Sequence, residues 1–119
     1  MQDFKKLRVW EKGHQLTLAV YEMTVPFPRD EQYGLTSQMR RAAASIVFNI
    51  AEGCSRSTRV DFARFLQVSA GSACELEYQL LLAHDLKLLQ TENYQQLLSK
   101  TVELKRMLTS LMQRIRTSN

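Results

Sequence analysis

Cysteine, proline and glycine are all scarce in this chain of 119 residues, which holds two, two and four of them. Two cysteines build no disulfide framework. On the helical reading below, Cys54 closes one helix and Cys74 falls about sixteen residues into the next, which at 1.5 Å per residue separates them by roughly 20 Å, too far for a bridge. Both read as buried small hydrophobes. The prolines stand together at Pro26 and Pro28, so the remainder is free to be helical. No apolar run of about eighteen residues exists, which leaves nothing to span a membrane. The opening Met1-Gln2-Asp3-Phe4-Lys5-Lys6 lacks the apolar centre of a signal peptide, and a cytoplasmic location is expected. No Gly-rich phosphate loop occurs, and neither His14 nor His84 has a Ser or Cys nucleophile in a recognisable motif. The chain is therefore expected to be no enzyme, with no cofactor and no small-molecule substrate.

What is present is a repeating period. Hydrophobic residues make up 45% and charged residues 24%, a balance suited to one globular domain that folds without metal or disulfide. Apolar positions recur at steps of four and three: Val9, Gly13, Leu16, Val20, Met23, Phe27; then Leu35, Met39, Ala42, Ile46, continuing to Asn49 and Gly53. A third series runs Phe62, Leu66, Ser69, Ala73, Leu76, Leu80, Ala83, and a fourth Leu97, Thr101, Leu104, Leu108, Leu111, Ile115. A mean step of 3.5 is the seam of left-handed helix packing. Pro26 and Pro28 end the first segment, and residues 30–34 read as a turn or a first loose helical turn. Gly53 stands where a helix C-terminus favours it, Thr58 can cap the third helix with Asp61 as a partial capping box, and Thr91 can cap the fourth. The expected helices are roughly 9–25, 31–53, 58–89 and 92–116 of a single domain spanning 1–119. Short connections make the class all-α, an antiparallel up-down four-helix bundle.

The second helix does not suit a lone bundle. Of the ten residues from Ala42 to Ala51, eight are apolar, and they run all the way round the helix, which predicts burial all the way round. Val47 and Phe48 point away from the Leu35, Met39, Ile46 seam. The third helix adds six small residues, Ser69 to Cys74, that let another backbone approach. We therefore expect a homo-oligomer whose contacts include Val47, Phe48, Ala51, Ala70, Gly71 and Cys74. Arg40, Arg41, Asn49, Glu52, Glu75 and Glu77 read as ion pairs and hydrogen bonds that set helix register and assembly. Asn49, on the seam, is the kind of polar residue that specifies register.

Two blocks carry a family resemblance. One runs Ser37-Gln38-Met39-Arg40-Arg41-Ala42-Ala43 through Ser45-Ile46 to Asn49-Ile50-Ala51-Glu52-Gly53, then Arg56. The other is Phe62-x-x-Phe65-Leu66 with Gly71-Ser72 and Glu75-Leu76-Glu77-x-Gln79-Leu80. With Leu7-x-Val9-Trp10, Val20-Tyr21 and Phe27-Pro28, the chain resembles the four-helix-bundle family of 23S rRNA-intervening-sequence proteins over nearly its whole length. The resemblance implies a homopentameric ring and no enzymatic activity.

The charge points weakly to nucleic acid. Between Lys100 and Asn119 five basic residues face Glu103 alone, an excess equal to the whole net charge of +4. Arg56, Arg59 and Arg64 flank the start of the third helix, whose free N–H groups favour an anion. RNA or DNA phosphates are the expected ligand, held by these three with Lys105, Arg114 and Arg116. No aromatic platform is expected among them, so base stacking should be minor. Scatter of the fourth helix's cations over several faces weakens the case, and a protein-interaction scaffold is the alternative. Glu11-x-x-His14 is half of a di-iron pattern whose other half is missing, so no metal is expected.

Overall fold

Four helices carry the four apolar repeats, and each begins and ends for a local reason. The structure, a computed structural model, describes residues 2–117. The helices are α1 (Arg8–Thr24), α2 (Leu35–Cys54), α3 (Arg59–Asp85) and α4 (Thr91–Thr117), with 3-10 turns at Phe4–Lys6 and Arg29–Glu31 and no strand among the described residues. α1 stops at Thr24, ahead of Pro26. α2 begins at Leu35 rather than 31, because Gly34 takes a non-helical conformation and the Glu31 carboxylate accepts a hydrogen bond from the Leu35 N–H at 3.0 Å. α3 ends at Asp85 rather than 89. There Lys87 adopts φ 66°, a left-handed turn, and the N–H groups of Leu88 and Leu89 both return to the Ala83 carbonyl. Thr58 caps α3 as expected, accepting from the Asp61 N–H at 3.1 Å. Thr91 does not cap α4. It is the first helical residue, and its hydroxyl meets His84 Nε2 at 3.0 Å.

Most positions of the predicted seams form the core, with Ile50 and Met112 added to them, while Met23, Leu111 and Ile115 are half-buried against it. Leu16, Val20, Met39, Ile46, Ile50, Leu66, Leu76, Leu80, Leu97, Leu104 and Leu108 are all buried. Neighbouring helices meet at definite levels. Gly13 lies against Val47, and the Thr17 hydroxyl, whose proton is shared with the Gly13 carbonyl of its own helix at 2.8 Å, approaches the Ala43 carbonyl at 3.2 Å. On the other side of α2, Ser69 donates to the Ile46 carbonyl at 2.8 Å, and Gly53 faces Phe62 and Phe65. Lys105 reaches Glu77 at 2.7 Å, Arg116 reaches Gln67 at 3.3 Å, and Lys12 faces Glu103 at 3.4 Å. The Gln2 N–H donates to the Cys54 carbonyl. These contacts gather the start of α1, the end of α2, the start of α3 and the end of α4 at one end of a molecule measuring 49 × 22 × 20 Å.

Gly53 turns out to be a packing glycine rather than a helix stop, since no glycine among the described residues has positive φ. A Cβ there would sit 2.9 Å from the Phe62 ring. Gly13 is tighter still, with a built Cβ 2.8 Å from Val47 Cγ1. Overpacking of this kind costs about 1–3 kcal/mol, against about 1 kcal/mol regained from helix propensity. Gly13→Ala should therefore lower stability by about 1 kcal/mol in urea unfolding. In a Val47→Ala background the same change should be neutral or stabilising. Equal penalties in both backgrounds would show that the close approach to Val47 is not what the glycine serves.

Candidate nucleic-acid interface

The turn from α2 into α3 and the first turns of α3 carry three arginines, two of which, Arg56 and Arg64, flank one aromatic ring. Arg56 pairs with Glu52 at 2.6 Å, and Arg64 lies 3.7 Å from Asp61. Both guanidinium groups also sit 4.8 Å from the centre of the Phe65 ring. Cation–π contact and ion pairing together hold these two side chains against the helix start. Arg59 is exposed and meets no carboxylate among the described residues. The expectation that no aromatic stands among these arginines is thus corrected, for Phe65 lies between two of them. A ring covered by guanidinium groups is a base-stacking platform only if they move.

The other predicted cations divide. Arg114 and Arg116 are exposed on the last turns of α4, at the same end of the molecule as Arg56, Arg59 and Arg64. Lys105 stands near the middle, bound to Glu77, and that hydrogen bond raises its ammonium pKa above the ordinary lysine value. It is committed within the chain. Three groups that sequence reasoning passed over join the cluster: Lys5 and Lys6 on the turn before α1, and Arg8 at the α1 start.

Cutting each helix at its midpoint gives the electrostatic picture. The half containing the α3 start holds eleven basic and four acidic side chains, a charge of +7, while the opposite half holds five basic and eight acidic, a charge of −3. The chain's +4 is therefore a strong axial gradient rather than a mild uniform excess. Fields of this kind steer anions to one end.

The profile described as 23S rRNA-intervening sequence protein matches residues 5–110. The chain belongs to that family. A crystal structure from Bacteroides thetaiotaomicron, titled as a protein of unknown function from the S23 ribosomal protein family, superimposes with a TM-score of 0.79. At 24% identity over 87% of this chain and 97% of the other, it shows a shared fold. No curated protein matches the chain.

Within this family member the residues expected at an assembly contact do not share one face. Phe48 is 68% exposed on the outside of α2, and Ala51 is half-buried. Val47 is not on that face: it is buried to 7% exposure against Gly13 of α1. Helix periodicity places Val47 about 100° round the helix from Phe48, and α1 covers the first while leaving the second. Ala70 packs against the core, and Gly71 has open space where a Cβ would be. Cys74 is exposed rather than buried, and lines a groove with Tyr78, Tyr94 and Lys105 between α3 and α4. Val68, 47% exposed, sits on α3 at the level of Phe48 by the register that joins Ser45 Oγ to Ser72 Oγ at 2.8 Å.

The six polar residues form separate contacts rather than one network. Arg40 donates to Thr24 Oγ1 at 2.9 Å and to the Tyr21 carbonyl at 3.2 Å, tying α2 to α1. Asn49 is only half-buried and donates to the Ser45 carbonyl of its own helix at 2.8 Å, so it takes no part in the core seam. Glu52 serves Arg56, and Glu77 serves Lys105. Arg41 and Glu75 share a polar groove with Gln38 and Gln79. Among the described residues no group of three His, Cys, Asp or Glu converges as a metal site.

The cysteines differ enough to test these placements chemically. Burial pushes the Cys54 thiol above its ordinary pKa, and the Asp3 carboxylate adds to the shift. A thiol held protonated and covered is a poor nucleophile. Titration of the native protein with a chromogenic disulfide should label one thiol per chain, that of Cys74, and two after denaturation. Rapid native labelling of Cys54 would mean that the end of α2 opens.

Proposed function

We propose that this chain is a non-catalytic, antiparallel up-down four-helix bundle that assembles as a homopentameric ring and binds RNA or DNA through phosphates. The observation that carries the reading is the +7 end against the −3 end. Lys5, Lys6, Arg8, Arg59, Arg114 and Arg116 supply cations there that no carboxylate neutralises among the described residues. The first turn of α3 adds free backbone N–H groups. Membership of a family described by 23S rRNA intervening sequences agrees with a nucleic-acid partner. The exposed Phe48 and Val68 support self-assembly, since a large aromatic left in water beside a second apolar residue favours an occupant. In a ring each copy repeats the basic end, so modest sites act together.

The test is binding of labelled RNA and DNA over a salt series. Affinity should fall steeply with salt, because each neutralised phosphate releases counterion, about 0.9 in the logarithmic slope per contact on duplex DNA. The triple change Arg59→Ala, Arg114→Ala, Arg116→Ala should weaken all sequences alike and flatten the slope. No detectable binding at about 50 mM salt would end the nucleic-acid reading and leave a protein-interaction scaffold.

Assembly has its own measurements. Phe48→Glu should dissociate the oligomer in sedimentation, since a buried unpaired charge costs several kcal/mol. A monomeric wild type would refute the ring. Gly71→Ala separates two situations: with solvent at Gly71 it should stabilise by about 1 kcal/mol, whereas with a neighbouring copy packed there it should weaken assembly.

A further inference from the structure

A groove of about 470 Å³ runs between the start of α1 and the second half of α4. Its floor is Leu7, Val9, Met107 and Leu111, and its edge carries Arg8, Arg106 and Arg114 with the Ser110 hydroxyl. From Arg106 to Arg114 the α4 positions are eight steps apart, about 12 Å at 1.5 Å per residue. The volume falls within the roughly 300–1,000 Å³ range of small-ligand clefts. No acidic residue lines it, and none of the three arginines is paired with a carboxylate among the described residues.

We propose that this groove takes one unpaired nucleotide of a single-stranded nucleic acid, its base against the apolar floor and its flanking phosphates on Arg8, Arg106 and Arg114. The inference rests on the reading of the basic end as a phosphate-binding surface and adds to it a preference for unpaired strands. An apolar floor alone would suit any greasy ligand. Three guanidinium groups around it select an anion, and they do so at more than one point along the edge. Met107 brings a polarisable sulfur that packs well on aromatic faces, here those of a base. Ser110 can donate to or accept from a base edge, so the site tolerates different bases.

The groove opens onto the positive half of the molecule. A strand leaving it meets Lys5 and Lys6 before α1 and Arg116 beyond Arg114. An acidic amphipathic helix would satisfy the arginines and the floor, but it would leave Ser110 and those outlying cations without a role. A continuous polyanion uses all of them. A duplex keeps its bases stacked inside and offers the floor nothing, so it can engage only the cations. Single strands should accordingly gain an increment that duplexes lack.

Fluorescence anisotropy at two salt concentrations tests this with three probes: a labelled oligouridylate, the same strand paired with its complement, and a strand of equal length carrying abasic residues. The oligouridylate should bind about five- to tenfold more tightly than the other two, the scale of removing one base face from water. Ser110→Leu fills the groove mouth without changing charge or adding an aromatic face, and the substituted position is exposed. It should bring all three probes to within about twofold of each other while duplex binding persists. Equal affinities in the wild type, or a preference untouched by Ser110→Leu, would overturn the proposal while leaving the phosphate-binding reading in place. Loss of all nucleic-acid binding would remove both. Competition by an acidic amphipathic peptide that leaves the single-strand preference intact would assign the groove to protein and likewise overturn it.

Discussion

Two hydroxyl groups hold α2 from opposite sides, and much of the molecule follows from the closeness they require. Thr17 shares its one hydroxyl proton between the Gly13 carbonyl of α1 at 2.8 Å and the Ala43 carbonyl of α2 at 3.2 Å, and Ser69 reaches from α3 to the Ile46 carbonyl. A side chain with a single carbon between backbone and oxygen touches a neighbouring main chain only when the helices nearly abut. Gly13 and Gly53 provide that room, since a Cβ at either would fall within 3.0 Å of Val47 or Phe62. Ala42 and Ala43, fully covered, keep the interface thin. These short residues fix the level of α2 against both neighbours, and through α2 they fix which residues share an end.

The electrostatic gradient is a consequence of that register. Lys5, Lys6, Arg8, Arg59, Arg114 and Arg116 come from three separated stretches of sequence. They meet only because the start of α1 and the start of α3 lie beside the end of α4. A shift of one helical turn, about 5.4 Å, would carry single charges past the midpoint. Ion pairs refine the pattern. Glu52 and Asp61 occupy Arg56 and Arg64, and Glu77 occupies Lys105, so at the start of α3 Arg59 alone of the three arginines meets no carboxylate among the described residues. Such partnerships cost a cation part of its attraction for phosphate, because the carboxylate must first be displaced.

The four helices and their core seams were legible because periodicity is a local property of the chain. Helix ends were less so. The Glu31 side chain that caps Leu35 and the left-handed Lys87 have no distinctive residue type to announce them; an aspartate or glycine would have. Val47 and Phe48 show a further limit. Both are apolar and adjacent, and the apolar run alone could not tell that α1 lies over one and not the other. Asn49 misled for a similar reason: it continues the spacing of the seam, yet its amide finds the Ser45 carbonyl of its own helix and stays at the edge. The basic end was half visible. Arginines flanking the α3 start stand out in sequence, whereas Lys5, Lys6 and Arg8 gain meaning only once the fold brings them beside α4.

Phe48 and Gly71 place the same demand on any account of assembly. Each is a cost within the single chain. The aromatic leaves apolar surface in water, and the glycine weakens the interior of α3 by about 1 kcal/mol relative to alanine. Neither cost is offset by a contact inside the bundle, since Gly71 meets nothing within 4 Å and Phe48 is largely exposed. Gly13 and Gly53 are explained by the neighbours they admit. By the same reasoning the outer faces of α2 and α3, where Gly71 and Phe48 stand without a neighbour in the chain, are where the proposed ring would join. That arrangement keeps the groove between α1 and α4, on the far side of the bundle, open to a strand.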